Sequence, residues 1–188
     1  MSHFFVNSSQ ITADVLTIVG DDVNHMKNVL RMRSGEAFTA ADENGIFYHC
    51  EVELLEKEQV TAKILNQEQG GSELSSKIYL FQGLPKSDKM ELIIQKAVEL
   101  GAYEIVPVAT KRAIVKLDAK KEASKLKRWQ AIAEGAAKQS GRMMIPRISE
   151  VKTFGEALQI AKELDVNVIP YECARGMDGT REIFGNIK

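Results

Sequence analysis

Lys77-Ile-Tyr-Leu-Phe-Gln-Gly-Leu-Pro-Lys-Ser-Asp-Lys-Met-Glu-Leu-Ile-Ile-Gln-Lys-Ala-Val-Glu-Leu-Gly101 reads as a strand that runs directly into an amphipathic helix. Ile78–Leu84 is short and rich in β-branched and aromatic residues, which suit a pleated, buried surface. From Asp88 the apolar period lengthens to that of a helix. Met90, Ile93, Ile94, Ala97 and Val98 form its stripe, Asp88 and Glu91 a capping pair, and Gly101 its stop. Downstream, Glu104–Pro107, a helix within Glu122–Ser140, a helix near Phe154–Leu164 and Val166–Pro170 continue the alternation. This rhythm predicts an α/β domain with a parallel sheet and right-handed crossovers.

Upstream the pattern differs. Phe4–Asn7, Val15–Gly20, Ala37–Ala41, Ile46–Leu54 and Val60–Leu65 read as short strands, and Asp42-Glu-Asn-Gly45 supplies a hairpin turn. They predict a small, mostly antiparallel β-barrel or sandwich. A helix over Asp21–Leu30 interrupts them, with Val23, Met26 and Val29 or Leu30 on one face and Asp21 or Asp22 as its cap. Asn66–Ser72 is polar, contains glycine and lacks apolar periodicity, so it reads as a linker. The expected domains are therefore residues 1–70 and residues 74–188.

At 44% hydrophobic and 27% charged residues, the 188-residue chain has a globular composition. No apolar run approaches the roughly 20 residues needed to span a bilayer, and no secretory leader is legible, so a cytoplasmic protein without membrane partners is expected. Cys50 and Cys173 lack the spacing of a zinc or redox motif and read as buried or incidental thiols. The net charge of −1 conceals a strong asymmetry. Glu36 to Glu73 carries nine acidic residues against Lys57 and Lys63, whereas Lys111 to Arg128 carries eight basic residues against Asp118 and Glu122. Part of this surface suits a polyanion.

Lys27, Arg31 and Arg33 gather at the end of the first helix, where guanidinium forks suit phosphate. On the residues alone the favoured reading is a solvated helix end whose cations complement the dipole, because basic residues are common in the last helical turn. Lys86 and Lys89 flank the start of the helix quoted above. A phosphate-loop glycine pattern is missing there, which argues against a Walker-type or dinucleotide enzyme. Thr110, Arg112 and Lys116 follow a strand, where α/β folds gather functional loops. Trp129 belongs to a core stripe with Leu126 and Ala133, but Gln139 and Arg142 are harder to explain by packing. His3, His25 and His49 form no nucleophilic or metal-ligating set, and no metal is expected.

Taken together, His3–Val6, Gly20–Glu36, Lys86–Gly101 and Arg128–Arg142 resemble the ribosomal RNA small subunit methyltransferase E family over essentially the whole chain. The resemblance implies an N-terminal PUA-like barrel, a C-terminal SPOUT domain with an α/β knot, and a homodimer. It also implies S-adenosylmethionine-dependent methylation of uridine N3 in small-subunit ribosomal RNA or the assembled subunit. On this resemblance Lys27, Arg31, Arg33, Lys86, Lys89 and Thr110 become RNA-binding candidates, and Arg112, Arg142 and Gln139 catalytic ones. Gln95 and Glu99 fall within matching motifs as well. Lys138 stands where an acidic residue is expected in relatives, so no general base is assigned there. The cofactor and knot loops are expected beyond Lys188, which leaves the cofactor residues unassigned. Two rivals remain at this point: an RNA-binding protein without catalysis, and an enzyme binding a phosphorylated metabolite near Lys86.

Overall fold

The computed structural model describes residues 2–69, 73–86, 89–111, 119–170, 179, 181–182 and 185. Period-two apolar alternation in the first part becomes a curled half-barrel of six strands. These are β1 (His3–Val6), β2 (Ile11–Thr12), β3 (Val15–Val19), β4 (Ala37–Asp42), β5 (Ile46–Leu55) and β6 (Gln59–Gln69), in the spatial order β1-β4-β5-β6-β3-β2. All pairings are antiparallel except β1 with β4. Two register shifts between β5 and β6, at His49/Cys50 and Val52/Leu54, add the local twist that curls a sheet. Phe4, Leu16, Ile18, Met26, Phe38, Val52 and Val60 fill the concave side. At the β4–β5 turn the Asp42 carboxylate accepts from the amides of Asn44 and Ile46, and Gly45 takes the positive φ the turn needs.

Three expectations need correction here. Residues 66–69 are not linker: Ile46 pairs with Gln69, so β6 runs four residues beyond the apolar pattern, held by the ladder to β5 and by the 3.2 Å contact of Glu68 with His49. The helix α1 (Asp21–Asn24) is capped by Gly20, with Asp21 and Asp22 inside its first turn, where they complement the dipole without capping. It continues as a π-helix over His25–Val29. This wider turn rotates Val29 and Leu30 to the surface, so only Val23 and Met26 are buried.

The second part contains β7 (Ile78–Gly83), α2 (Lys89–Glu99), β8 (Ala102–Ala109), α3 (Ala119–Ser140), β9 (Arg147–Ile148), β10 (Lys152–Thr153) and α4 (Phe154–Lys162). β7 and β8 are parallel neighbours, and β9 and β10 lie end to end along the other side of β8. The chain advances five residues from Arg147 to Lys152 while β8 advances four from Glu104 to Val108, which makes a bulge around Ser149. On one face, Met90, Ile94 and Val98 of α2 meet Trp129, Ala133, Ala136 and Ala137 of α3 over Ile105. On the other, Val106, Val108 and Phe81 meet Ala157 of α4. The Asp88 cap lies outside the described residues. Val166–Pro170 forms no strand: it pairs with no described strand and Ile169 is 81% exposed.

The two parts meet through α3 and β1. Phe5 of β1 packs against the α2–α3 core, and Lys138 of α3 pairs with Asp22 at 3.0 Å. A cavity of about 510 Å³ in this junction is lined by residues that include Phe5, Val6, Glu73, Met143 and Ile145.

Candidate functional site

The expected site residues divide between two ends of the parallel sheet. Gly83, the Ala109–Thr110 corner and Thr153 mark the carboxyl ends of β7, β8 and β10, where open α/β sheets bind ligands. Leu84 donates its amide to the Val108 carbonyl at 2.9 Å, which brings the loop after β7 against that corner. Exposed Lys86, Lys89, Thr110 and Lys111 belong to this end. So does the Phe154 ring, 56% exposed at the start of α4, which carried no legible signal beyond its place in a helix. Arg112 and Lys116 lie outside the described residues.

Gln139 and Arg142 lie at the opposite end. α3 returns to the amino-terminal edge, and Arg142 Nη1 donates to the carbonyls of Val98 (3.1 Å) and Ala102 (2.6 Å). β8 separates Ala102 from Ala109 by roughly 23 Å at about 3.3 Å per residue. Gln139 and Arg142 therefore do not converge with Thr110 within one chain. Exposed Gln139 instead sits one residue from Lys138, which is tied to the start of α1, and α1 leads to Lys27, Arg31 and Arg33. Gln95 and Glu99 on α2 bond to each other at 3.0 Å, and Lys96 holds Glu99 below the usual carboxylate range.

Arg142 has a structural occupation that its sequence position did not reveal. Its side chain is 6% exposed, and its Nε and Nη2 grip the Glu73 carboxylate, which also accepts from the Met143 amide at 2.9 Å. The guanidinium thus spans the end of α2, the start of β8 and the segment before β7. Burial alone would raise the Glu73 pKa, but these donors outweigh it and lower it. The expected use of Arg142 at a reacting base conflicts with this engagement, because its donors face protein oxygens.

Beside this clamp, His3 is 6% exposed, stacks on Phe47, and shares a 2.9 Å hydrogen bond with Thr39 through Nδ1. Its Nε2 is buried without a hydrogen-bond partner. Burial lowers the ring's pKa, the Arg142 backbone opposes this, and the Lys138 charge adds to the lowering. For Lys138 itself burial is outweighed by Asp22 and Glu134, which raise its pKa. Its position suits an anchored cation and not a base.

At the end of α1, Arg31 adopts φ 55°, a left-handed conformation unusual for a side chain with a Cβ. The Met32 amide closes back on the Met26 carbonyl at 2.9 Å, so Arg31 is the helix's left-handed cap. Arg31 and Arg33 project outward while Met32 between them is buried. Two basic side chains are thereby held on one exposed rim, with Lys27 one turn back donating to the Glu56 carbonyl at 2.6 Å.

No group of three or more His, Cys, Asp or Glu residues suited to a metal occurs among the described residues. Cys50 is buried, with its pKa pushed up to about 12 by desolvation, which suits an inert core thiol. At the carboxyl ends of the strands, a Cβ built on Gly83 would meet only Thr110 Cγ2 at 3.8 Å, an ordinary contact. Packing therefore does not require a glycine at position 83, and no described residue is assigned a cofactor contact.

The family described as RNA methyltransferase domain matches residues 72–182, and the RNA methyltransferase PUA domain matches residues 18–65. The chain is 39% identical to a ribosomal RNA small subunit methyltransferase E of Bacillus subtilis, over 85% of this chain and 62% of that protein. It is 34% identical to the Mesomycoplasma hyopneumoniae protein of the same name, over 93% of this chain and 73% of the relative. Among solved structures, the Neisseria gonorrhoeae enzyme of that name bound to S-adenosylmethionine superimposes with a TM-score of 0.72 at 34% identity, over 84% of this chain and 65% of that one.

Proposed function

The chain belongs to the ribosomal RNA small subunit methyltransferase E family, and from that premise we propose that its protein transfers a methyl group from S-adenosylmethionine to N3 of a uridine in small-subunit ribosomal RNA. The observation that carries this reading is the pairing, in one chain, of a PUA-like half-barrel bearing an exposed basic rim with a parallel sheet whose carboxyl ends collect Lys86, Lys89, Thr110 and Lys111.

S-adenosylmethionine supplies an electrophilic methyl group on a sulfonium. Loss of the N3 proton to water spreads negative charge over N3, O2 and O4, which a positioned cation stabilises until N3 takes the methyl group and the neutral thioether leaves. Arg112, two residues after Thr110 in sequence, is our candidate for that role, because Arg142 is engaged as a clamp. Lys27, Arg31 and Arg33 bind RNA phosphates, and Gln139 extends that surface onto the second domain. N3 takes part in Watson–Crick pairing, so the target base must be unpaired or extruded. We place the reaction in the cytoplasm, on ribosomal RNA or the assembled small subunit, and the working protein is a homodimer.

Nucleoside analysis of small-subunit RNA tests the reading. In a strain lacking the gene, N3-methyluridine at one site is expected to disappear and to return with the gene restored. An unchanged methylation pattern would refute it.

A further inference from the structure

The geometry points to a base-reading nucleotide pocket between α1 and the β5–β6 turn, in which Asn24 and Asn28 recognise one unstacked RNA base and Lys57, with Lys27, holds its phosphate. This inference rests on the RNA-binding reading above and adds a second point of contact, away from the methylated base. A cleft of about 300 Å³ is lined there by Gly20, Asn24, Lys27, Asn28, Lys57 and other residues. That volume is at the lower end of ligand-sized pockets and suits a single planar base.

Three features give the cleft its chemistry. Asn28 Nδ2 donates to Asn24 Oδ1 at 2.6 Å, which fixes the two amides side by side. The Asn24 amide nitrogen and Asn28 amide oxygen then remain as an adjacent donor and acceptor, the pattern that a base edge complements. Lys27 spends one donor on the Glu56 carbonyl, which pins its stem across the cleft and leaves two donors at the mouth. Lys57 reaches the same mouth from the turn, in a stretch otherwise dominated by acidic residues. Glu58 on the wall disfavours a second phosphate, so the cleft takes one nucleotide and not a stretch of backbone.

The backbone supports this reading. The π-helix over His25–Val29 carries Asn28, and π-turns recur at functional sites because they cost stability that a plain helix would retain. Arg31 in its left-handed conformation is a second local cost within three residues of Asn28.

Fluorescence anisotropy of the 188-residue chain with labelled single-stranded 12-mers of uridine, adenosine or cytidine tests the pocket. Wild type is expected to prefer one homopolymer by about tenfold. The double variant N24A/N28A should lose that preference, falling to the level of the weaker sequences with an unchanged salt dependence. K57A should weaken all sequences similarly and reduce the salt slope by about one. These side chains lie at the surface, and unchanged thermal melting curves would show that the variants fold. Equal binding to all three RNAs by wild type, or an unaltered preference in N24A/N28A, would overturn the pocket while leaving the methyltransferase reading to the nucleoside analysis. Failure of wild type to bind any of the RNAs would overturn the pocket as well, and only an unchanged methylation pattern would also remove the reading on which it rests.

Discussion

Arg31 shows how a single residue serves two opposed demands. Glycine adopts φ 55° without steric cost, whereas arginine there crowds its Cβ against the backbone. Arg31→Gly is therefore expected to stabilise the chain by roughly 0.5–1 kcal/mol in urea unfolding. The same variant should weaken RNA binding and lower the salt slope by about one, because a phosphate contact is lost. Unchanged stability would remove the strain argument, and unchanged affinity the binding role. As a cation, Arg31 was legible in the sequence. Its conformation was not, because arginine is not a residue whose presence announces a left-handed cap. Arg142 was likewise visible as a charge but not as a clamp, since its Glu73 partner lies in a stretch without periodicity.

Among the elements, α2 was the most legible, because each apolar residue in its stripe reports the same face. Met90, Ile94 and Val98 are buried, while Leu92, off the stripe, is 58% exposed. Ile94→Ala should cost about 2–5 kcal/mol and Leu92→Ala under about 1 kcal/mol, measured side by side by denaturant unfolding. Similar losses from both would mean that the α2–α3 packing is misplaced. The two-residue strands β9 and β10 were invisible because strands this short have no period, and only β8 beside them gives them order. Val166–Pro170 failed in the opposite way. Its β-branched residues suit a strand, but a strand also needs a ladder partner.

For the molecule as a whole, the sequence announced two domains but not how they join. The junction combines Phe5 in the neighbouring core with the Lys138–Asp22 pair, and beside it, within the second part, Glu73 grips both Arg142 and the Met143 amide. The Glu73 pKa is lowered in the fold, so its contribution is present above the ordinary glutamate value near pH 4.3 and is lost as pH falls through the lower folded value. Glu73→Gln should cost about 2 kcal/mol at neutral pH, between the limits for exposed and buried pairs, and flatten the acid side of the stability profile. An acid limb identical to wild type would show that Glu73 does not couple stability to pH. The candidate site was legible as a set of residue types but not as a place. The length of β8 holds Thr110 and Arg142 apart, and no residue pattern records that distance.

The bulge between β9 and β10 bears on the chain's history as well as its shape. Loss of one residue between Ile148 and Lys152 would bring both flanks into step with β8 as a continuous strand, keeping Ile148 beside Ile105 and Thr153 beside Ala109. A single-codon deletion at this point would be absorbed locally, whereas one inside β8 would invert the inward and outward faces of everything that follows. Length variation among descendants of this gene should therefore collect at residues 149–151 and spare the strand beside them.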